Sequence, residues 1–129
     1  MIKRSNYYLW EMGSLALRFG YYFKDPEKPD EKAVFKRVES NGKLKADVWN
    51  HVAVTFGEGK VNFYINGKLD STKDFLGNII NYPAPVRLGC EREDARPFKG
   101  AMSGVSLFNA SLDADEVVLE MKETDPRDE

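Results

Sequence analysis

Two carboxylates two positions apart, Glu91 and Glu93, lie in the run Glu91-Arg92-Glu93-Asp94 and would project to one side of an extended chain. Such a pair is what glycoside cleavage needs, one carboxyl to protonate the leaving oxygen and the other to attack or to activate water. Here the run follows Gly89 and has Arg92 within it and Arg96 just beyond, so it reads as a solvated charged loop rather than a pair set against a scissile bond. His51 and Cys90 offer a base and a thiol, but no third group is spaced to orient the base. One cysteine closes no intrachain disulfide, and one Cys with one His matches no spaced zinc pattern. A packed His51 and a small, core-like Cys90 are expected, and catalysis is not.

The residues suited to non-covalent recognition are aromatics and arginines. If Leu9 points into a core, alternation along an extended chain turns Tyr8, Trp10 and Met12 outward, with Arg18 and Tyr22 close by. Aromatic faces stack on sugar rings or pack against proteins, and guanidinium groups pair with carboxylate or sulfate. Tyr8, Trp10, Arg18 and Tyr22 on this face, with Arg92 and Arg96 on the charged loop, form the candidate ligand-binding set; the other reading is that further strands or another chain cover the row. Trp49, at the entrance of a central strand, is expected as a core anchor.

Short β-like stretches separated by turn residues must position these groups. Strands are expected at Asn6 to Met12, Leu15 to Phe23, Val34 to Glu39, Trp49 to Phe56, Lys60 to Ile65, Lys68 to Phe75, Val86 to Cys90 and Ala101 to Phe108. Leu15, Leu17, Phe19, Tyr21 and Phe23 share one face at period two, which should be core. Seven of the nine residues from Lys24 to Lys32 are charged and the other two are Pro26 and Pro29, which makes a solvated loop. A turn is expected at Ser40-Asn41-Gly42-Lys43. Gly57-Glu58-Gly59 and Asn66-Gly67 join three strands into an antiparallel meander, since both central positions of a type I′ turn need positive φ. Val61, Phe63 and Ile65 should face inward, and Asn62, Tyr64 and Asn66 outward. Asp113 with Glu116 three residues on opens one short helix to about Lys122, and 124–129 reads as a frayed polar tail.

Composition agrees with a single globular domain. The 129 residues are 42% hydrophobic and include two Trp, six Tyr and eight Phe, which excludes a disordered chain. Nineteen basic against twenty-one acidic residues give a net charge of −2, which argues against nucleic acid as a partner. No apolar run approaches the ~20 residues of a membrane helix, and Met1-Ile2-Lys3-Arg4-Ser5-Asn6 lacks the apolar region of an export signal.

At this point the segments, in their order, resemble a known family. Trp49-Asn50-His51-Val52-Ala53-Val54-Thr55-Phe56 followed by Val61-Asn62-Phe63-Tyr64-Ile65-Asn66-Gly67 is similar to the central hairpin of laminin G-like domains in the concanavalin A-like lectin/glucanase superfamily. Pro85-Val86-Arg87-Leu88-Gly89, Phe98-Lys99-Gly100-Ala101-Met102 and Val105 to Val117 continue the likeness in sequence order. The resemblance implies an all-β jelly-roll sandwich of two antiparallel sheets with one short C-terminal helix, spanning 1–123 with 124–129 as a tail. The family's opening strands have no counterpart ahead of Tyr7. Where relatives carry an acidic calcium ligand in the last strand, this chain has Ser103, which cannot supply the charge, so neither a metal nor another cofactor is expected.

The family resemblance implies a non-catalytic module that binds carbohydrate or a protein surface, on an extracellular or cell-surface protein, with rim loops Lys24 to Lys32 and Glu91 to Pro97 contributing. A structural domain that forms homo-oligomers through an open sheet edge is the alternative, and a remnant polysaccharide-cleaving enzyme a distant third. Asn109-Ala110-Ser111 fits the glycosylation acceptor rule but coincides with the family's turn motif.

Overall fold

The structure, a computed structural model, describes residues 2–3, 7–11, 13–23, 27–28, 30–74, 86–88, 100–108 and 110–128. Among them, eight strands form: β1 (Ile2–Lys3), β2 (Tyr7–Glu11), β3 (Ala16–Phe23), β4 (Val34–Lys43), β5 (Val52–Gly57), β6 (Lys60–Ile65), β7 (Lys68–Asp74) and β8 (Val86–Arg87). One helix, α1 (Ala114–Glu123), and a 3-10 turn at Pro126–Asp128 follow. One sheet has the order β4-β3-β2-β1-β8 and the other β5-β6-β7. Two compact units emerge, Met1–Glu39 with Leu76–Lys99, and Ser40–Phe75 with Gly100–Glu129.

In the first unit, β2 and β3 pair antiparallel with Leu9 opposite Phe19 and Glu11 opposite Leu17. Directly opposed residues share a face, so alternation puts Leu9, Leu17, Phe19 and Tyr21 on one side. Leu17, Phe19 and Tyr21 are each only 2% exposed, and this is the unit's core face. The described residues of the loop after β3, including Glu27, Lys28 and Glu31, are exposed, as the charge run predicts.

The second unit is built on the meander. Asn66 and Gly67 have φ of 51° and 80°, and Glu58 and Gly59 have 51° and 77°, so both hairpins use left-handed turn residues. Val61 and Phe63 of β6 are fully buried. The opposite face carries a polar row in register, Thr55, Asn62 and Thr72. Asn62 Nδ2 donates to Thr55 Oγ1 at 3.3 Å and Thr72 Oγ1 donates to Asn62 Oδ1 at 2.8 Å. Tyr64 alternates with Asn62 yet is buried, which corrects the outward reading of that position; the β6–β7 register shifts at Phe63/Tyr64, and α1 packs at the hairpin end beyond it. Asp113 caps α1 in a capping box with Glu116, and Val117 is fully buried. A Cβ added at Gly67 would stand 2.9 Å from Met121 Cε, so the turn residue must be glycine for both φ and the approach of the helix.

Other expectations are corrected. Ser40–Lys43 is not a turn but the end of β4: Asp70 of β7 accepts from Asn41 N at 2.9 Å and from Gly42 N at 2.9 and 3.1 Å, and Lys73 Nζ donates to Asn41 Oδ1 at 2.6 Å. Those side-chain bonds satisfy backbone groups that a turn would have paired with each other. Residues 101–108 form no strand; Gly104 has φ of 61°, outside extended geometry, and its backbone lies close against Thr124. Met102, Val105, Leu107 and Phe108 are consequently exposed. The tail beyond Thr124 is not frayed throughout: Arg127 donates from N, Nε and Nη2 to the Asp125 carboxylate at 2.8 to 2.9 Å, closing the 3-10 turn. Trp49 is 42% exposed, because β5 begins only at Val52. Trp49 belongs instead to a connection organised by Asn50, whose side chain bonds Lys45 N and O and Val48 O.

Candidate functional site

The face of β2 and β3 opposite the core carries the sequence candidates. Register places Tyr8 opposite Gly20 and Trp10 opposite Arg18. Gly20, which is buried, presents no side chain beside Tyr8. Phe35 of β4 meets Tyr8 edge-on, with centroids 5.8 Å apart and planes at 88°. Tyr22 lies 6.3 Å from Tyr8 and 5.3 Å from Phe35, both tilted. Three rings at these spacings make favourable quadrupole contacts.

This arrangement corrects one expectation. Tyr8 is 8% exposed, so it is the buried floor of the cluster rather than an open stacking ring. Tyr22 is half-buried and Phe35 37% exposed, and they carry the accessible ring surface. The side chain of Trp10, and Arg92, Arg96, Cys90, Glu91 and Glu93 entirely, lie outside the described residues.

Arg18 is not a lone cation. Its Nε donates to Glu39 Oε1 at 2.9 Å and its Nη2 to the same oxygen, with the Arg18 side chain 19% exposed. Glu39 Oε2 accepts no hydrogen bond among the described residues. Phe35, Arg37 and Glu39 alternate along β4 and therefore project to the same side. Arg37 thus stands between the ring cluster and the ion pair; it is exposed, and its side chain makes no hydrogen bond or ion pair among the described residues.

The structure therefore brings together Tyr8, Tyr22 and Arg18 from the sequence candidates. It adds Phe35, Arg37 and Glu39, which were missed although their alternation within Val34 to Glu39 was available as a signal. The face offers ring surface, and a guanidinium and a carboxylate oxygen that have no partner among the described residues, which is chemistry for holding a ligand without bond cleavage.

In the second unit, His51 precedes β5. Its Nδ1 is buried without a hydrogen-bond partner among the described residues, and desolvation pushes its pKa below 6.5, opposed by the charge of Glu120 on α1. Nothing orients its ring toward a nucleophile among the described residues. Ser103 is exposed, and no three His, Cys, Asp or Glu residues converge on a metal position among the described residues.

A laminin G family profile, described as the concanavalin A-like lectin/glucanases superfamily, matches residues 3–118. The adhesion G-protein coupled receptor V1 of Danio rerio is 27% identical over 74 residues, which is 55% of this chain and 1% of that receptor. A crystal structure of an S-layer domain-containing protein (residues 221–444) from Clostridium thermocellum ATCC 27405 covers 81% of this chain and 50% of its own, at 22% identity and a TM-score of 0.44.

Proposed function

Because this chain belongs to the laminin G-like branch of the concanavalin A-like lectin/glucanase superfamily, an all-β fold of two antiparallel sheets, we propose that it is a non-catalytic recognition module. Its ligand is a carbohydrate or a protein surface, and its setting is extracellular or on the cell surface, the context of the family and consistent with similarity to part of an adhesion receptor. The observation that carries this reading is the accessible Tyr22–Phe35 ring pair beside Arg37 and the Arg18–Glu39 pair. Trp10, opposite Arg18 in register, and Arg92 and Arg96 complete the proposed contact set.

Binding needs only that these groups be held in place, which the sheet does, and that a ligand desolvate the rings while its anion meets a guanidinium. A glycan array run beside a pull-down against surface proteins tests this. Capture of a ligand class that is weakened by Tyr22→Ala is expected; capture indifferent to Tyr22→Ala would move the site elsewhere.

A second reading, assembly between copies, is supported by the exposed Met102, Val105, Leu107 and Phe108 of a segment that forms no strand. Light scattering at tens of micromolar should show a dimer or larger if copies pair through this segment, and a monomer would dismiss it.

A further inference from the structure

We infer that the outer edge of β4 pairs with β4 of a second copy of this chain, antiparallel about Val38, so that Arg37 of each copy stands opposite Glu39 of the other. This contact goes beyond ligand recognition and uses a surface other than the 101–108 segment.

Among the described strands, β4 ends its sheet, with β3 as its one neighbour. It is ten residues long, and none of them ahead of Ser40 is buried. A long strand with one edge unpaired presents backbone donors and acceptors that another strand can satisfy. Asn41 N and Gly42 N already donate to Asp70, so the segment left for pairing lies ahead of them.

Charged side chains on an edge ordinarily discourage pairing, and their order here decides which pairing is allowed. Directly opposed residues share a face, so a register centred on a residue keeps the outward faces of both copies on one side, whereas a register shifted by one would set the core face of one copy beside the outward face of the other. Centring on Lys36, Arg37 or Glu39 places two like charges together at the axis. Centring on Val38 places Val38 against Val38, Lys36 against Ser40 and Arg37 against Glu39. Under two-fold symmetry that opposite-charge pair occurs twice.

The side chains are ready for this register. Arg18 bonds Glu39 Oε1, which leaves Oε2, on a side chain 44% exposed, for the second copy's Arg37. Arg37 is exposed, and its side chain has no partner among the described residues. Arg18, Glu39 and the second copy's Arg37 would then alternate in charge across three adjacent strands on the outward face.

The test is sedimentation equilibrium of the whole chain over a series reaching hundreds of micromolar, as a small interface requires, with melting temperatures to show that each variant folds. Wild type should be a reversible mixture of monomer and dimer. Arg37→Glu and Glu39→Lys should each weaken the dimer at least about tenfold, since each sets two like-charged pairs at the contact. Mixed in equal amounts, these two variants should associate with each other about as well as wild type does with itself, because the substituted positions then face each other with opposite charge. Arg37→Ala should lie between wild type and Arg37→Glu, and that ordering decides the matter if Glu39→Lys unfolds on losing its bond to Arg18. A monomer at every concentration overturns the inference, as does a dimer that Arg37→Glu leaves intact, or a mixture of two folded variants that stays monomeric. A dimer indifferent to Arg37→Glu and broken by Leu107→Ser belongs to the 101–108 segment and overturns it too.

Discussion

Asn66 and His51 are tied by two hydrogen bonds: His51 N donates to Asn66 Oδ1 at 2.9 Å, and Asn66 N donates to His51 O at 2.8 Å. One residue thus supplies the left-handed turn between β6 and β7 and closes the start of β5. Asn66 Nδ2 also reaches Asn50 Oδ1 at 3.4 Å, linking the turn to the connection ahead of β5.

Asn66→Ala should destabilise the domain by about 2 kcal/mol, combining a lost hydrogen bond with a Cβ penalty at φ 51°. Asn66→Gly relieves the backbone strain but not the lost bond, and should fall between Ala and wild type in denaturant midpoint. Equal midpoints for all three would show that the turn side chain contributes nothing.

Phe63→Ala should cost about 3–5 kcal/mol, since Phe63 is fully buried. Trp49→Ala should cost under about 1 kcal/mol, since Trp49 is 42% exposed. A Trp49→Ala loss as large as that of Phe63→Ala would mean that Trp49 is a core anchor after all.

The meander and α1 were legible in the sequence because their signals are local. Asn66-Gly67, Glu58-Gly59 and the Asp113–Glu116 box each fix geometry within four residues. Trp49 and the segment 101–108 misled for the opposite reason. Their apolar side chains fit a strand pattern, but pairing depends on partners far along the chain, and the backbone at Gly104 leaves extended geometry. The candidate face was half legible: alternation isolated Tyr8, Arg18 and Tyr22, whereas the Arg18–Glu39 contact joins residues 21 apart and needed the sheet to be seen.

Acid should act on the second unit in two steps. Burial pushes the His51 pKa below 6.5, partly offset by Glu120, so the stability held by neutral His51 is present above 6.5 and lost as pH falls through its folded value. For Asp70, desolvation raises the pKa but is outweighed by hydrogen bonds from Gly42, Ser71 and Asn41 and by Lys73, leaving it below 3.8. Stability held by its ionised carboxylate is therefore present above 3.8 and lost as pH falls through the lower, folded value. Asp70→Asn should lower the melting temperature at neutral pH and remove the second loss while keeping the first. A mutant whose acid profile parallels wild type throughout would show that the Asp70 bonds to β4 do not hold.

Thermal unfolding should have the same midpoint with excess calcium as with a chelator, because Ser103 stands where the family resemblance places an acidic ligand. An upward shift that grows with calcium concentration would contradict this, since an ion that binds only the folded state must stabilise it.

Whether ligand meets the outward face of β3 and β4 is read by mapping amide chemical-shift changes as ligand from the array or pull-down is added. The largest changes are expected at Tyr22, Phe35, Arg37 and Glu39, with little at Leu17, Phe19 and Tyr21 beyond the strand's own response. Changes centred instead on Glu27 to Lys32, or on β5, β6 and β7, with the Tyr22–Arg37 face silent, would contradict it.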